Sequence, residues 1–336
     1  MKKLINDPYQ VVEDTIAGIL KAYPYHLRMA KGSTRTMVRA DAPIKGKVAI
    51  CTGGGSGHIP VFLGYVGPGL LDGVAIGNVF SSPSSDDMLV AARETNGGAG
   101  VLYLFGNYSG DKMNFEMAAE MAALEDITVK LSIASDDVAS APRAEKNRRR
   151  GIAGIFFPYK IAGAKADTMA SLDEVKATAD AVIEQTCTIG IALSPCTIPA
   201  VGKPNFIIAE DEMELGMGIH GEPGFERTKL KKADEVATIM AEKVINDLPF
   251  KAKDEVAVLV NGLGATPPEE LYILYSKFYD ILGEKGIKIY KAYIGEYATS
   301  MEMAGASFSL LKLNSEFKKL LDAPAFSPFL PQWRRS

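Results

Sequence analysis

His220 is one of three histidines in this chain of 336 residues, and it stands in GMGIHGEPG (216–224). Four glycines surround it there, and Glu222 follows two positions on. A neutral imidazole nitrogen is a competent nucleophile toward a carbonyl carbon. A second histidine, His58, closes TGGGSGHIP (52–60), and Asp111 lies in FGNYSGDKMNFE (105–116). A carboxylate at Asp111 can take a proton from a substrate hydroxyl, or it can simply cap the helix that follows. His58 can face a polar ligand beside glycine amides, or only hold its own loop by a hydrogen bond. FSSPSSDD (80–87) is a third polar segment of the same texture.

The glycine run invites a nucleotide reading that its spacing does not sustain. A P-loop needs Lys followed by Ser or Thr, and a dinucleotide fingerprint needs G-x-G-x-x-G with an acidic residue about 20 positions on. Asp72 is near that distance, but GGGSGH fits neither pattern. His26, His58 and His220 lack the spacing of a zinc site. The pairs Asp86-Asp87 and Asp136-Asp137 read as helix starts or solvated loop residues. No cofactor or metal site is therefore expected in this chain.

These residues need a scaffold of strands whose carboxyl ends carry loops and helix N-termini. Asp7 and Pro8 are expected to start the first helix as N-cap and first helical residue. KVAICT (47–52), GVAIGNVF (73–80), GVLYLF (100–105) and ITVKLSI (127–133) read as buried strands. The helices between them are SSDDMLVAARET (84–95) and DKMNFEMAAEMAALE (111–125), so a mostly parallel sheet covered on both faces is predicted. A capped helix (171–186) and a strand (188–193) follow. Between Ser194 and Gly224 the chain turns proline- and glycine-rich, as at a domain crossing or a long functional loop. Alternation resumes with a helix at 233–248 and strands at 255–262, 287–295 and 306–313. Thr266 is expected to cap the helix after TPP, with Glu269 completing a capping box. The fold class is α/β: two α/β domains, with mostly parallel or mixed sheets covered by helices. The domains expected are 1–190, with the glycine-loop pocket, and 191–336, with the His220 loop. The end, DAPAFSPFLPQWRRS, reads as an irregular tail.

With 47% hydrophobic and 23% charged residues and a net charge of −4, the composition is that of an ordinary globular protein. A nucleic-acid binder would carry a basic excess. The short basic clusters Lys146-Asn147-Arg148-Arg149-Arg150 and Arg334-Arg335 read as solvated surface. Cys51, Cys187 and Cys196 form no CxxC and read as buried free thiols. No signal peptide or apolar run of about 20 residues is found, and a cytoplasmic protein is expected.

At eight ordered blocks the chain resembles the dihydroxyacetone kinase substrate-binding subunit family. They are GGGSGH, NVFSSPS, NYSGDKMNFE, SDDVAS, FPYKIAGA, ALSPCTIP, GMGIHGEPG and VNGLGATPPEELYI. The resemblance implies a dimeric, two-domain α/β subunit that holds dihydroxyacetone or a related short ketose. It implies that His220 attacks the ketone to form a covalent hemiaminal, while His58 and Asp111 contact substrate hydroxyls and assist phosphoryl transfer. Gly55, Ser56, Gly57, Ser82 and Gly106 are expected at the substrate beside them. Mg-ADP or Mg-ATP is expected on a separate helical, nucleotide-binding partner subunit, because the chain ends before a fused nucleotide domain.

Two positions depart from the family pattern: Ile59 stands where the family usually has Glu, and Gly106 where it often has Lys. They imply a different ketose, such as a tetrulose, or a protein that binds without catalysing. The family also includes paralogues that bind dihydroxyacetone and act as transcription coactivators, and this is the alternative reading.

Overall fold

Three of the four glycines of TGGGSGHIP belong to a strand. In the computed structural model, which describes residues 2–333, β3 runs over Ala49–Ser56 and carries Gly53, Gly54 and Gly55 inside the sheet. A side chain on Gly54 would run into the Phe62 ring at 2.0 Å, and one on Gly55 would meet the Phe80–Ser81 backbone at 2.7–2.9 Å. These glycines admit neighbouring parts of the protein, and the expected loop shortens to Gly57 and His58.

The chain forms two units, each assembled from separate stretches. The first comprises Met1–Ala134, Phe157–Val182 and Glu316–Ser336, and the second Ser135–Phe156 and Ile183–Ser315. The division differs from a single crossing at 190. Residues 135–156 are held in the second unit because Asp136 and Val138 exchange backbone hydrogen bonds with Thr188 at 2.8 and 2.9 Å. The C-terminal stretch belongs to the first unit, where the buried Lys160 donates to the Leu320 carbonyl at 2.8 Å.

In the first unit, α1 (Val11–Ala22) precedes β1 (Leu27–Met29), β2 (Thr36–Arg39) and β3. Next come β4 (Gly73–Val79), α2 (Ser85–Thr95), β5 (Val101–Gly106), α3 (Ser109–Ala123) and β6 (Val129–Ala134). The strand order is β1-β2-β4-β3-β5-β6, parallel from β4 to β6 and antiparallel at the β1 and β2 edge. The chain goes from β3 to β4 on one side and then crosses to β5 on the other. The carboxyl ends of β3 and β5 therefore flank a topological switch point, where open α/β sheets take ligands. Strand residues such as Cys51, Tyr103 and Phe105 pack on Met88, Phe115 and Ala118 of α2 and α3. Asp72 is the buried counter-ion of Lys47 (2.6 Å) and Arg39 (3.1 Å), a structural role.

Several boundaries move for local reasons. Asp7 accepts from the Tyr9 amide at 2.8 Å in a turn ahead of α1, whose N-cap is Gln10. Asp111 is the third residue of α3, and Tyr108 is the N-cap. α4 (Phe156–Ala166) tolerates Pro158 because the first turn has no amide partner to lose. α5 (Leu172–Glu184) starts at a capping box, in which Ser171 Oγ accepts from the Glu174 amide and Glu174 accepts from the Ser171 amide.

The second unit contains β7 (Thr186–Ala192), β8 (Glu212–Leu215), β9 (Glu226–Lys229), α6 (Ala233–Asp247), β10 (Glu255–Gly262), α7 (Pro268–Glu284), β11 (Lys288–Gly295) and β12 (Gly305–Lys312). Its sheet, ordered β11-β10-β12-β7-β8-β9, is mixed: β10 and β11 are parallel and the other pairs antiparallel. α6 and α7 pack on it through Val236, Met240, Leu274 and Phe278. Thr266 does not cap α7. Its Oγ1 both donates to and accepts from Gly305, at 2.6 and 2.8 Å, which pins the start of β12.

α8 (Ser315–Leu321) and the hairpin β13 (Ala325–Ser327) and β14 (Leu330–Gln332) complete the first unit. The expected irregular tail is thus ordered as far as the hairpin, where the Phe326 amide donates to Pro68. Arg334-Arg335 lies outside the described residues. Among the described residues, no helix is long and apolar enough to cross a membrane.

Candidate functional site

In the first unit, the three polar segments converge at the carboxyl ends of β3, β4 and β5. The Phe80 amide donates to the Ser56 carbonyl at 3.0 Å, and Ser56 Oγ donates to the Gly77 carbonyl at 2.9 Å. The first of these bonds joins the first segment to the second, and the other ties it to β4. Ser82 joins the second to the third, because a Cβ on Gly110 would lie 2.7 Å from its Oγ. Asn114 Nδ2 adds a 2.8 Å hydrogen bond to the Pro83 carbonyl. The structure thus gathers Gly55, Ser56, Gly57, His58, Ser82, Gly106 and Asp111 on one rim of one unit. Gly57 makes the bend after β3 with φ +99°, and Gly106 is the buried last residue of β5.

His58 and Asp111 are both buried. The His58 ring stacks on Phe80 (centroids 4.8 Å apart, planes at 19°) and meets Phe62 edge-on at 6.2 Å. Asp111 sits in the first turn of α3, where the free amides and dipole favour a carboxylate. Tyr159 of α4 lies near it. Burial pushes that phenol above its ordinary range, opposed by its 2.6 Å hydrogen bond with Thr52 and reinforced by the charge of Asp111.

The second unit holds His220 in a tightly packed turn. The Glu222 carboxylate accepts the His220 backbone amide on Oε2 and faces ring Nδ1 with Oε1, each at 2.9 Å. Burial raises the Glu222 pKa, but the hydrogen bond and charge of His220 outweigh it and hold the group at about 2. An ionised carboxylate can only accept, so Nδ1 carries a proton, and whenever the ring is neutral the lone pair is on Nε2. This is the tautomer a carbonyl-directed nucleophile needs.

Asn205 fixes the other side of the turn. Its Nδ2 donates to the His220 carbonyl at 2.9 Å, while its Oδ1 accepts from the Cys196 amide at 3.1 Å. The ALSPCTIP block therefore acts on His220 through Asn205. A side chain on Gly218 would lie 2.2 Å from Glu222 Oε2, and one on Gly221 (φ +88°) would lie 2.4 Å from Asn205 Nδ2. The bareness of the loop admits these two supporting side chains.

Behind Glu222 stands Arg150, which donates to the Gly216 carbonyl at 3.1 Å and to Asp137 at 2.8 Å. Burial pushes the Asp137 carboxyl up to about 7, with Arg150 pulling the other way. Asp136 is buried too, and it accepts the Ile152 and Gly154 amides at 3.0 and 2.9 Å. This pair is a structural clamp and does not lie on a solvated loop. Nor is the basic run solvated surface throughout: Arg149 is buried against Asp247, and Lys146 pairs with Glu184 at 3.1 Å. Sequence reasoning missed Asn205, Arg150 and the orienting role of Glu222. Only Glu222 carried a local signal, an acid two residues from a lone histidine.

Among the described residues, no group of three or more His, Cys, Asp or Glu side chains gathers as a metal site. Cys51, Cys187 and Cys196 are buried and not joined in disulfides, and burial first of all pushes the Cys51 and Cys187 thiols up to about 12.

Comparison with known proteins places the chain. The Dak1 domain matches residues 17–329. The chain is 44% identical over 316 residues, 94% of its length and 95% of the relative's, to the dihydroxyacetone-binding subunit DhaK of PTS-dependent dihydroxyacetone kinase 1 from Listeria innocua serovar 6a. It is 40% identical to D-erythrulose kinase of Mycolicibacterium smegmatis, covering 98% of this chain and 56% of that protein. Among solved structures it is similar to the dihydroxyacetone kinase operon co-activator Dha-DhaQ, with TM-score 0.89 and 31% identity over 96% of this chain and 99% of that one. This chain, with its paired α/β units, belongs to the Dak1 family of DhaK-like proteins.

Proposed function

We propose that this chain is the ketose-binding subunit of a dihydroxyacetone-type kinase, and that His220 holds the ketose covalently. The observation that carries the reading is the pairing of Nδ1 with an ionised Glu222, which in the neutral ring leaves the lone pair on Nε2. Nε2 attacks the carbonyl carbon and a C–N bond forms as the C=O π pair moves to oxygen. The oxygen gains a proton and the imidazolium loses the one on Nδ1, so the hemiaminal is neutral and no water leaves. Glu222 stabilises the imidazolium while it exists. A covalent bond to the carbonyl selects ketoses over polyols more sharply than hydrogen bonds to hydroxyls.

Asp111 serves as the base for the substrate hydroxyl. As the hydroxyl oxygen attacks phosphorus, its proton passes to the carboxylate, with His58 assisting. The phosphoryl donor resides on a helical partner subunit, where Mg-ADP or Mg-ATP is held or a phosphoprotein supplies the group. The active species is a cytoplasmic homodimer working with that partner. Ile59 and Gly106, in place of an anion and a cation near the substrate, suit a tetrulose as well as dihydroxyacetone, in line with the similarity to a D-erythrulose kinase. The test is to combine the purified chain with a nucleotide-loaded partner and a phosphoryl donor, and to follow phosphorylation of dihydroxyacetone and erythrulose.

A second reading, a ketose-sensing coactivator without kinase activity, is favoured by the likeness to the Dha-DhaQ co-activator. Adduct formation without turnover in any cognate complex would select it. Buried Asp111 and His58 favour the kinase, because a sensor has no proton to remove.

A further inference from the structure

We infer that Phe80 is the positioning residue that fixes the ring plane of His58, and that backbone strain is retained at Phe80 for that purpose. The inference rests on the proposed role of His58 at the substrate hydroxyl. Phe80 closes the turn Asn78–Ser81, in which the Ser81 amide donates to the Asn78 carbonyl at 3.0 Å. Its φ of +57° lies in the left-handed region, where a turn ordinarily places glycine or asparagine. A bulky side chain there is a genuine outlier. Such conformations persist where the surroundings over-determine them, and they cluster at functional sites.

The surroundings do over-determine this turn. A Cβ on Gly77 would lie 1.9 Å from the Ser81 carbonyl oxygen, and one on Gly55 would lie 2.8 Å from Phe80 Cα, so both strands are pared to backbone beneath it. The Phe80 amide is tied to the Ser56 carbonyl at 3.0 Å, two residues before His58. A glycine at position 80 would satisfy the same turn. What phenylalanine adds is a ring lying nearly parallel to the His58 imidazole, 4.8 Å away at 19°, with Phe62 closing on it at 89°.

The last torsion of a histidine is broad and weakly restrained by itself. Two aromatic rings, one stacked on the imidazole and one edge-on to it, restrain that torsion. Phe62 is seated in turn by Gly54, which leaves space for its ring. The run GGGSGH therefore reads as an aromatic clamp for its own histidine: Gly54 admits one jaw and Gly55 the backbone of the other.

The test uses Phe80→Leu and Phe80→Tyr in the full chain, read in two ways. With three histidines, the carbon-bound ring protons of His58 can be assigned by NMR through His26→Gln and His220→Ala. In Phe80→Leu those signals should shift as the ring current is lost. Turnover in the assembled kinase should fall at least tenfold, while the ketose adduct on His220 still forms. Phe80→Tyr should keep the His58 signals near their original positions and most of the turnover. Unmoved His58 signals in Phe80→Leu, or full turnover despite moved signals, would overturn the inference. Equal loss of adduct and turnover in both variants would make Phe80 merely structural and overturn it too. Full turnover of His58→Ala would instead remove His58 from the reaction, a failure of the proposed function that the NMR measurement separates from this one.

Discussion

Glu222 meets His220 with both carboxylate oxygens, Oε2 on the backbone amide and Oε1 on ring Nδ1, each at 2.9 Å. One acid thus sets both the fold of the turn and the tautomer of the ring. Glu222→Gln keeps the shape but presents an amide that can donate to Nδ1 and move the proton to Nε2. The rate of ketose adduct formation should drop roughly tenfold or more, as wrong-tautomer variants do. Stopped mixing followed by native mass measurement gives the rate, and an unaltered rate would show that Glu222 does not set the tautomer.

The same pair has a pH signature in stability. The Glu222 pKa is lowered from an ordinary 4.5 to about 2 in the folded chain. A depressed carboxyl stabilises the fold fully above its unfolded value, and that contribution is lost as pH falls through the folded value. The stability gap between the parent and Glu222→Gln should be constant above about pH 4.5 and shrink steadily toward pH 2. Denaturant titrations from pH 3 to 7 measure it, and a gap that widens on acidification would contradict the assignment.

Asp111→Asn separates binding from chemistry. Removing the base should lower turnover by about 10²–10⁴-fold while the adduct on His220 forms as before. A variant with full activity would rule Asp111 out as the base.

Four of the six strands in the first unit's sheet were legible because they are continuous apolar runs separated by helices, whereas β1, β2 and the strand order were not. The glycine segments were placed at the correct strand ends, but their meaning was not legible. Nothing local distinguishes a glycine that approaches a ligand from Gly54 or Gly218, which make space for Phe62 and Glu222. Long-range partners were hidden for the same reason: Asn205 reaches His220 across 15 positions, and Arg149 reaches Asp247 across 98. The excursion of residues 135–156 into the second unit depends on bonds to Thr188 that no periodicity announces.

Arg149 illustrates what that hidden pairing is worth. Asp247→Asn would leave a buried guanidinium without its counter-charge, and breaking such a pair from one side costs about 3–5 kcal/mol. Urea unfolding of the variant measures the loss. A change below about 1 kcal/mol would mean that the pair behaves like an exposed one.

Gly218→Ala should act on chemistry before stability. Its Cβ would lie 2.2 Å from Glu222 Oε2, so the carboxylate must leave His220. Adduct formation should fall as in Glu222→Gln, with Nδ1 of His220 losing its acceptor. Normal adduct kinetics in Gly218→Ala would show that the loop tolerates what the geometry forbids.

The most direct measurement is the intact mass of the chain in the presence of dihydroxyacetone, for the parent and for His220→Ala. The account predicts that the parent gains the whole mass of one ketose, with no loss of water, and that His220→Ala gains nothing. An increment that survives in His220→Ala, or one short by a water molecule, would contradict covalent capture by this imidazole.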